Sequence, residues 1–194
     1  MKVRQTELAG VYVLEPNVFA DGRGFFMESY HKAVLEANGV LYEFVQDNHS
    51  LSMQVGTLRG LHYQLSPMAQ TKLVRVLSGA IYDVAVDIRR DSPQFGKWVG
   101  IELSAANKSQ LLIPQGFAHG FCTLMPNTEV MYKVDQYYSP SHDRGIRWDD
   151  ADLGIEWPER ISQLSDKDER LPSLKDAELP TMPATRMVED TNEI

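Results

Sequence analysis

KLVRVLSGAIYDVAVDI, residues 72–88, is the stretch from which the fold can be read. Val, Ile, Leu and Tyr dominate it, and β-branched and aromatic residues favour strands. From Tyr82 the side chains alternate. Tyr82, Val84, Val86 and Ile88 fall on one face, and Asp83, Ala85 and Asp87 on the other. LSGA, in the middle of the run, reads as a hairpin turn between two strands.

Outward from this run, GVYVLEP, GFFMESY, YEFVQDN, GTLRGLHYQ, WVGIELS, SQLLIPQGFAHGFCTL and EVMYKVDQYYS have the same character. NVFADGRG and RRDSPQFGKW are turn-rich connections. HKAVLEANG is the clearest helix, stopped by Gly39. About ten short strands with one or two short helices predict an all-β sandwich or barrel. No repeat or linker splits the chain, so residues 1–174 are expected to form one domain. Beyond Asp168 the sequence turns polar and Pro-broken. Residues 175–194 are expected to be a loose tail or an extended arm.

Composition narrows the function. The 194 residues carry a formal net charge of −8, which repels nucleic acid and anionic membranes. Neither is an expected partner. An anionic ligand would need a local cluster of Arg and Lys. Cys122 is the only cysteine, so no internal disulfide can form. No apolar run approaches the length of a bilayer span, and the N-terminal stretch is not a secretory signal. A cytoplasmic protein is expected.

TLRGLHYQLSPMAQTKLVRV, residues 57–76, places Arg59, His62, Tyr63, Gln64 and Lys72 among apolar residues. A strand that only supported a core would not need them. PQGFAHGF adds His119 after a turn shaped by Pro114 and Gly116. The G-x-H strand and the P-x-G-x-x-H segment together resemble the two halves of the cupin motif, which implies a double-stranded β-helix jelly roll. Metal-binding cupins have a second histidine where this chain has Gln64, and no Glu occurs between Gln64 and Lys72. An amide is a poor partner for imidazole at a transition metal, and two histidines are too few ligands. The expectation is a metal-free cavity, with Lys72 supplying positive charge.

The resemblance then becomes specific. DGRGFFMESY, QDNHS, LRGLHYQ, QTKLVRV, GAIYDVAVD, IPQGFAHGF, YKVDQYYSP, GIEWP and LSDKD occur in this order. Together they resemble the dTDP-4-dehydrorhamnose 3,5-epimerase family over about residues 1–170. The resemblance implies an isomerase that inverts C3 and C5 of dTDP-4-dehydro-6-deoxyglucose through an enolate. The path leads to dTDP-L-rhamnose and needs no cofactor. It implies His62 as base with Asp168 as its partner, Tyr132 as acid and Lys72 beside the developing charge. Asp166 is the rival partner, since both aspartates flank Lys167.

Arg23, Glu28, Gln46, Asn48, Arg59 and His119 match the family's binding residues, with Tyr138 stacked on the thymine. Asp83 is a candidate to orient His119. Lys167 and Asp143 complete the substrate-binding set. The family commonly has glutamate near Asp143, so the carboxylate here has a shorter reach. Read alone, Tyr132 would be core packing and Asp168 a solvated charge. Strict alternation puts Arg59 and His62 on opposite faces, so both reach one cavity only if the strand twists or bulges, with Gly60 a candidate place. Gly22 and Gly24 flank Arg23 on a loop that could reach across the interface of a homodimer. Three other readings stay open: a single-centre epimerase, a metal-dependent cupin oxygenase, and a module that binds a nucleotide sugar without turnover.

Overall fold

The computed structural model describes residues 1–181. Its strands and helices are numbered in chain order. One sheet contains β1 (Lys2–Gln5), β2 (Tyr12–Glu15), β5 (Gln46–Ser52), β7 (Lys72–Ser78), β10 (Gln110–Ile113) and β12 (Thr128–Val134), in the order β1-β2-β10-β7-β12-β5. A second contains β6 (Leu58–Gln64), β8 (Ala80–Asp87), β9 (Trp98–Ser104), β11 (Phe117–Thr123) and β13 (Asp143–Gly145), in the order β13-β6-β11-β8-β9. Neighbouring strands are antiparallel throughout. β3 (Val18–Asp21) and β4 (Gly24–Met27) form a separate hairpin. Helices α1 (Lys32–Ala37) and α2 (Asp166–Glu169) are short. The fold is the jelly roll that the strand count and the cupin resemblance imply.

The expected hairpin at 72–88 is not one. β7 lies between β10 and β12, whereas β8 lies between β11 and β9 in the other sheet. Gly79 is the corner at which the chain changes sheet, with φ +78°. The reason is visible in the burial of β8. Ile81 and Ala85 face the core between the sheets, where Val74, Val76, Leu103, Leu111, Phe117 and Val130 meet them. Val84, Val86 and Ile88 pack on the opposite face under Ile146, Leu153, Leu174 and Ala177. A strand covered on both sides reads as a nearly continuous apolar run, and two such runs in succession mimic a hairpin.

The outer face of the first sheet is covered too. α1 and the segment after it bring Leu35, Val40, Tyr42 and Phe44 over Leu14, Leu73 and Leu112. Tyr42 and Phe44 were expected in a strand, but the strand starts only at Gln46. SQLLIPQGFAHGFCTL divides into β10 and β11, which belong to different sheets. β1 and β13 are short strands that the sequence pattern does not mark.

In the C-terminal segment, Leu174 and Ala177 are buried and Leu179 packs beside them. The Tyr63 hydroxyl donates to the Glu178 carbonyl at 2.8 Å, and Arg90 N–H to that of Pro180 at 3.0 Å. The expectation of a tail to residue 194 lies, from 182 onward, outside the described residues.

The corner is testable. A Cβ on Gly79 would meet Thr128 Oγ1 at 2.2 Å, in a conformation that disfavours side chains. Gly79→Ala is expected to destabilise the protein by about 1–3 kcal/mol in urea unfolding, with an unchanged m-value.

Candidate active site

A cavity of about 440 Å³ opens between the sheets. Its walls carry His62 and Arg59 from β6, His119 and Phe121 from β11, Lys72 from β7 and Tyr132 from β12. The imidazoles therefore come from one sheet, and the ammonium and phenol from the other. Residues Gln163, Leu164, Ser165, Lys167 and Asp168 close one side.

Arg59 and His62 reach the same space because β6 carries one extra residue there. His119 pairs with His62 and Phe121 with Arg59, so three steps on β6 oppose two on β11. Gly60 sits in that bulge with φ +128°, and a Cβ on it would meet Gly120 Cα at 2.5 Å. Only glycine lets the two strands approach so closely. Leu61 and Tyr63 turn away into the outer cluster. Arg59 is held at the rim by Ser52 Oγ at 3.2 Å and the Leu51 carbonyl at 3.1 Å.

His62 Nε2 lies 2.6 Å from Asp168 Oδ1, whereas Asp166 is exposed. Ser165 caps α2 by accepting from Asp168 N–H at 3.1 Å, and this fixes the buried carboxylate. Burial pushes the Asp168 carboxyl up, but hydrogen bonds from His62 and Ser165 together with the His62 charge outweigh it and hold it below the ordinary value. An ionised carboxylate only accepts, so the ring nitrogen facing it carries a proton.

His119 makes a second pair, Nε2 to Asp83 Oδ1 at 2.7 Å, with both residues buried. Burial lowers the His119 pKa, opposed by Asp83 and reinforced by Lys72 and His62. Asp83 Oδ2 is buried without a hydrogen-bond partner among the described residues. Lys72 is buried, and its Nζ donates to the His62 carbonyl at 3.4 Å. Burial lowers its pKa to about 8, against the pull of Asp83 and Asp143. Burial also raises the Tyr132 phenol, so it keeps its proton at neutral pH.

Other expected residues cluster beside the cavity. Gln46 Nε2 donates to Asn48 Oδ1 at 2.9 Å, and Gln46 Oε1 accepts from Tyr138 N–H at 3.2 Å. The Tyr138 hydroxyl donates to Asp143 Oδ2 at 3.1 Å, and the same oxygen accepts from Lys167. Arg23 and Glu28 do not join this group. Arg23 lies on the exposed β3–β4 hairpin and pairs with Asp21 at 2.6 Å; Glu28 is exposed just beyond it. Thr57, Gln163 and Leu164 line the cavity without having been singled out from sequence. They sit in irregular segments joined by a single bridge between Thr57 and Gln163, which leaves no periodic signal. Among the described residues, no group of three or more His, Cys, Asp or Glu side chains is placed to hold a metal ion.

The sequence model of the dTDP-4-dehydrorhamnose 3,5-epimerase family matches residues 5–176. The chain belongs to this family. It is 58% identical over 169 residues to the dTDP-4-dehydrorhamnose 3,5-epimerase of Shigella flexneri, covering 87% of this chain and 93% of that one. Among solved structures, the family member from Bacillus anthracis, with TDP and PPi bound, is 59% identical at a TM-score of 0.87. The match covers 89% of this chain and 98% of that one. The dTDP-6-deoxy-D-glucose-3,5-epimerase of Legionella pneumophila, in complex with dTDP-4-keto-L-rhamnose, is 46% identical at 0.89, covering 94% and 99%. In this chain His62 lines the cavity from one sheet and Tyr132 from the other.

The buried ammonium has a measurable cost. Folded Lys72 titrates near about 8, whereas its ordinary value is 10.5. Between those values the unfolded chain binds more protons, so this group's contribution to stability rises as pH climbs from about 8 to about 10.5. Lys72→Met is expected to raise stability at pH 7 by on the order of 3 kcal/mol in denaturant unfolding while abolishing turnover.

Proposed function

We infer that this chain is an isomerase that epimerises C3 and C5 of dTDP-4-dehydro-6-deoxyglucose, giving dTDP-4-dehydro-L-rhamnose for dTDP-L-rhamnose synthesis. The observation that carries the reading is the His62–Asp168 pair facing Tyr132 across one cavity, in a chain that is 58% identical to a named family member.

The chemistry follows from the groups present. Hydrogens on the carbons flanking a ketone are weakly acidic. In our reading, the unprotonated nitrogen of His62 takes one of them, and its electron pair moves into the ketone to form an enolate. Asp168 stabilises the resulting imidazolium, as a carboxylate partner does in other dyads. Lys72, charged below about pH 8, stands near the enolate oxygen. Tyr132 returns a proton to the carbon from the opposite face, inverting it; the His62 imidazolium then releases its proton to solvent and the phenolate takes one up, which resets both groups. Repeating the cycle at the second carbon gives the double inversion. The protons balance and no electrons leave the substrate, so no redox cofactor is needed.

His119 with Asp83 forms a further polar contact to the sugar. Arg59 binds the pyrophosphate through charge-assisted bonds. Tyr138 stacks on the base, with Gln46, Asn48, Asp143 and Lys167 around it. Arg23 and Glu28 act from a second copy of the chain, which makes the enzyme a homodimer. The hairpin that carries Arg23 supports this. It exposes Phe19, Phe25 and Phe26 and stands away from its own cavity. A cytoplasmic location fits the nucleotide-sugar substrate, and no helix among the described residues is long and apolar enough to cross a membrane.

Proton NMR of the substrate in D2O tests the activity. Deuterium is expected at both C3 and C5. Exchange at one carbon alone would indicate a single-centre epimerase, and binding without exchange a non-catalytic module. His62→Ala is expected to lower turnover by at least ~10²-fold. Tyr132→Phe should keep C–H washout while net inversion falls. Sedimentation at micromolar concentration is expected to give a dimer, and a monomer would remove the assignment of Arg23 and Glu28.

A further inference from the structure

Gln64 stands where metal-binding cupins place a histidine, yet it does not line the cavity. Its side chain is almost wholly buried, at 5% exposure, and turns towards the segment after β12. Nε2 donates to the carbonyls of Met68 and, at 3.1 Å, Tyr137; Oε1 accepts from Ser139 N–H at 2.7 Å. Three of the amide's bonds therefore go to backbone, two of them on either side of Tyr138. The Ser139 carbonyl in turn accepts from His142 and Asp143 N–H, both at 3.0 Å. Asp143 begins β13 directly opposite Gln64.

We propose that Gln64 is a positioning residue for the nucleotide end of the site. It fixes the turn that presents Tyr138 and Asp143 to the base. The proposal rests on the epimerase reading above. Tyr138 is 56% exposed, so its ring has little packing of its own to orient it. Its position comes from the backbone beneath it, which Gln64 and Gln46 hold, and from the Asp143 oxygen at its hydroxyl. Asp143 also binds Lys167, the neighbour of Asp168, so the same turn meets the segment that completes the His62 pair.

The chemistry demands an amide. Two carbonyls need two donors, and one N–H needs an acceptor. A carboxylate offers no donor, an imidazole cannot place two donors and an acceptor so close together, and an apolar chain offers nothing. The residue at this position has been given over to shaping the ligand-binding turn, a role that metal ligation would exclude.

The test uses the full chain with dTDP as probe. Gln64→Met, which keeps the volume and loses the bonds, is expected to weaken dTDP binding by about tenfold in calorimetry. KM for the dTDP sugar should rise in step, with kcat at saturation within about threefold of the parent. In a Tyr138→Ala background the same substitution should change dTDP affinity by clearly less than in the parent, because only the Asp143 route remains. Gln64→Glu should bind dTDP more tightly as pH falls relative to the parent, since a protonated carboxyl can donate to one carbonyl while the ionised form repels both.

Parent-like dTDP affinity in Gln64→Met would overturn the proposal. So would a fall in kcat with KM untouched, or a full effect persisting in the Tyr138→Ala background. If Gln64→Met does not fold, the Gln64→Glu profile decides, and a pH dependence identical to the parent's rejects the proposal. A parent protein that binds dTDP but leaves C3 and C5 unexchanged would count against the epimerase reading alone.

Discussion

Strand alternation allows a side chain to reach a given face only at every second residue. Along β6 that rule would separate Arg59 from His62, and the site depends on its being broken once. The extra residue at Gly60 turns both side chains into the cavity while Leu61 and Tyr63 still anchor the outer face. The break is possible because β11 answers it with Gly120, so two glycine backbones meet where side chains could not. The other strand residues of the site, Lys72, His119 and Tyr132, lie on β7, β11 and β12 around this irregularity.

Electrostatics sets the second condition. Lys72, His119, Asp83 and Asp168 are all buried around one cavity. Burial opposes the charged forms of Lys72, His119 and Asp168, and contacts with neighbouring polar groups work against it. Asp168 stays ionised because His62 and Ser165 hold it, and Lys72 stays charged near neutrality although its affinity for the proton has dropped. Such a cluster trades stability for readiness, because its dipoles and charges are in place before a substrate arrives. Asp83 Oδ2, without a partner among the described residues, belongs to the same trade.

Much of this was legible in the sequence, in proportion to how local each cause was. Alternation in YDVAVDI gave β8 and its faces correctly. The conflict between Arg59 and His62 pointed to a twist or a bulge, with Gly60 a candidate place, and the structure has the bulge there. What failed was connectivity. A turn containing glycine between two apolar strands looks the same whether the strands pair or part company, and at Gly79 they part. Asp168 could be preferred to Asp166 only through the resemblance, because its placement depends on a single turn of helix capped by Ser165. Arg23 and Glu28 could be named only through resemblance, since nothing near them in one chain reveals a ligand. The amide of Gln64 reads as an unsuitable metal ligand, but two of its partners, Tyr137 and Ser139, lie 73 and 75 residues away and cast no pattern on the sequence.

The His62–Asp168 pair joins residues 106 positions apart, and its carboxylate sits just before the segment that laces over the outer face of the second sheet. This has a consequence for biosynthesis. Every strand of both sheets precedes α2 in the chain, so the sheets can be made before the carboxylate that pairs with His62 exists. A chain translated only through β13 carries the imidazole without its acidic neighbour.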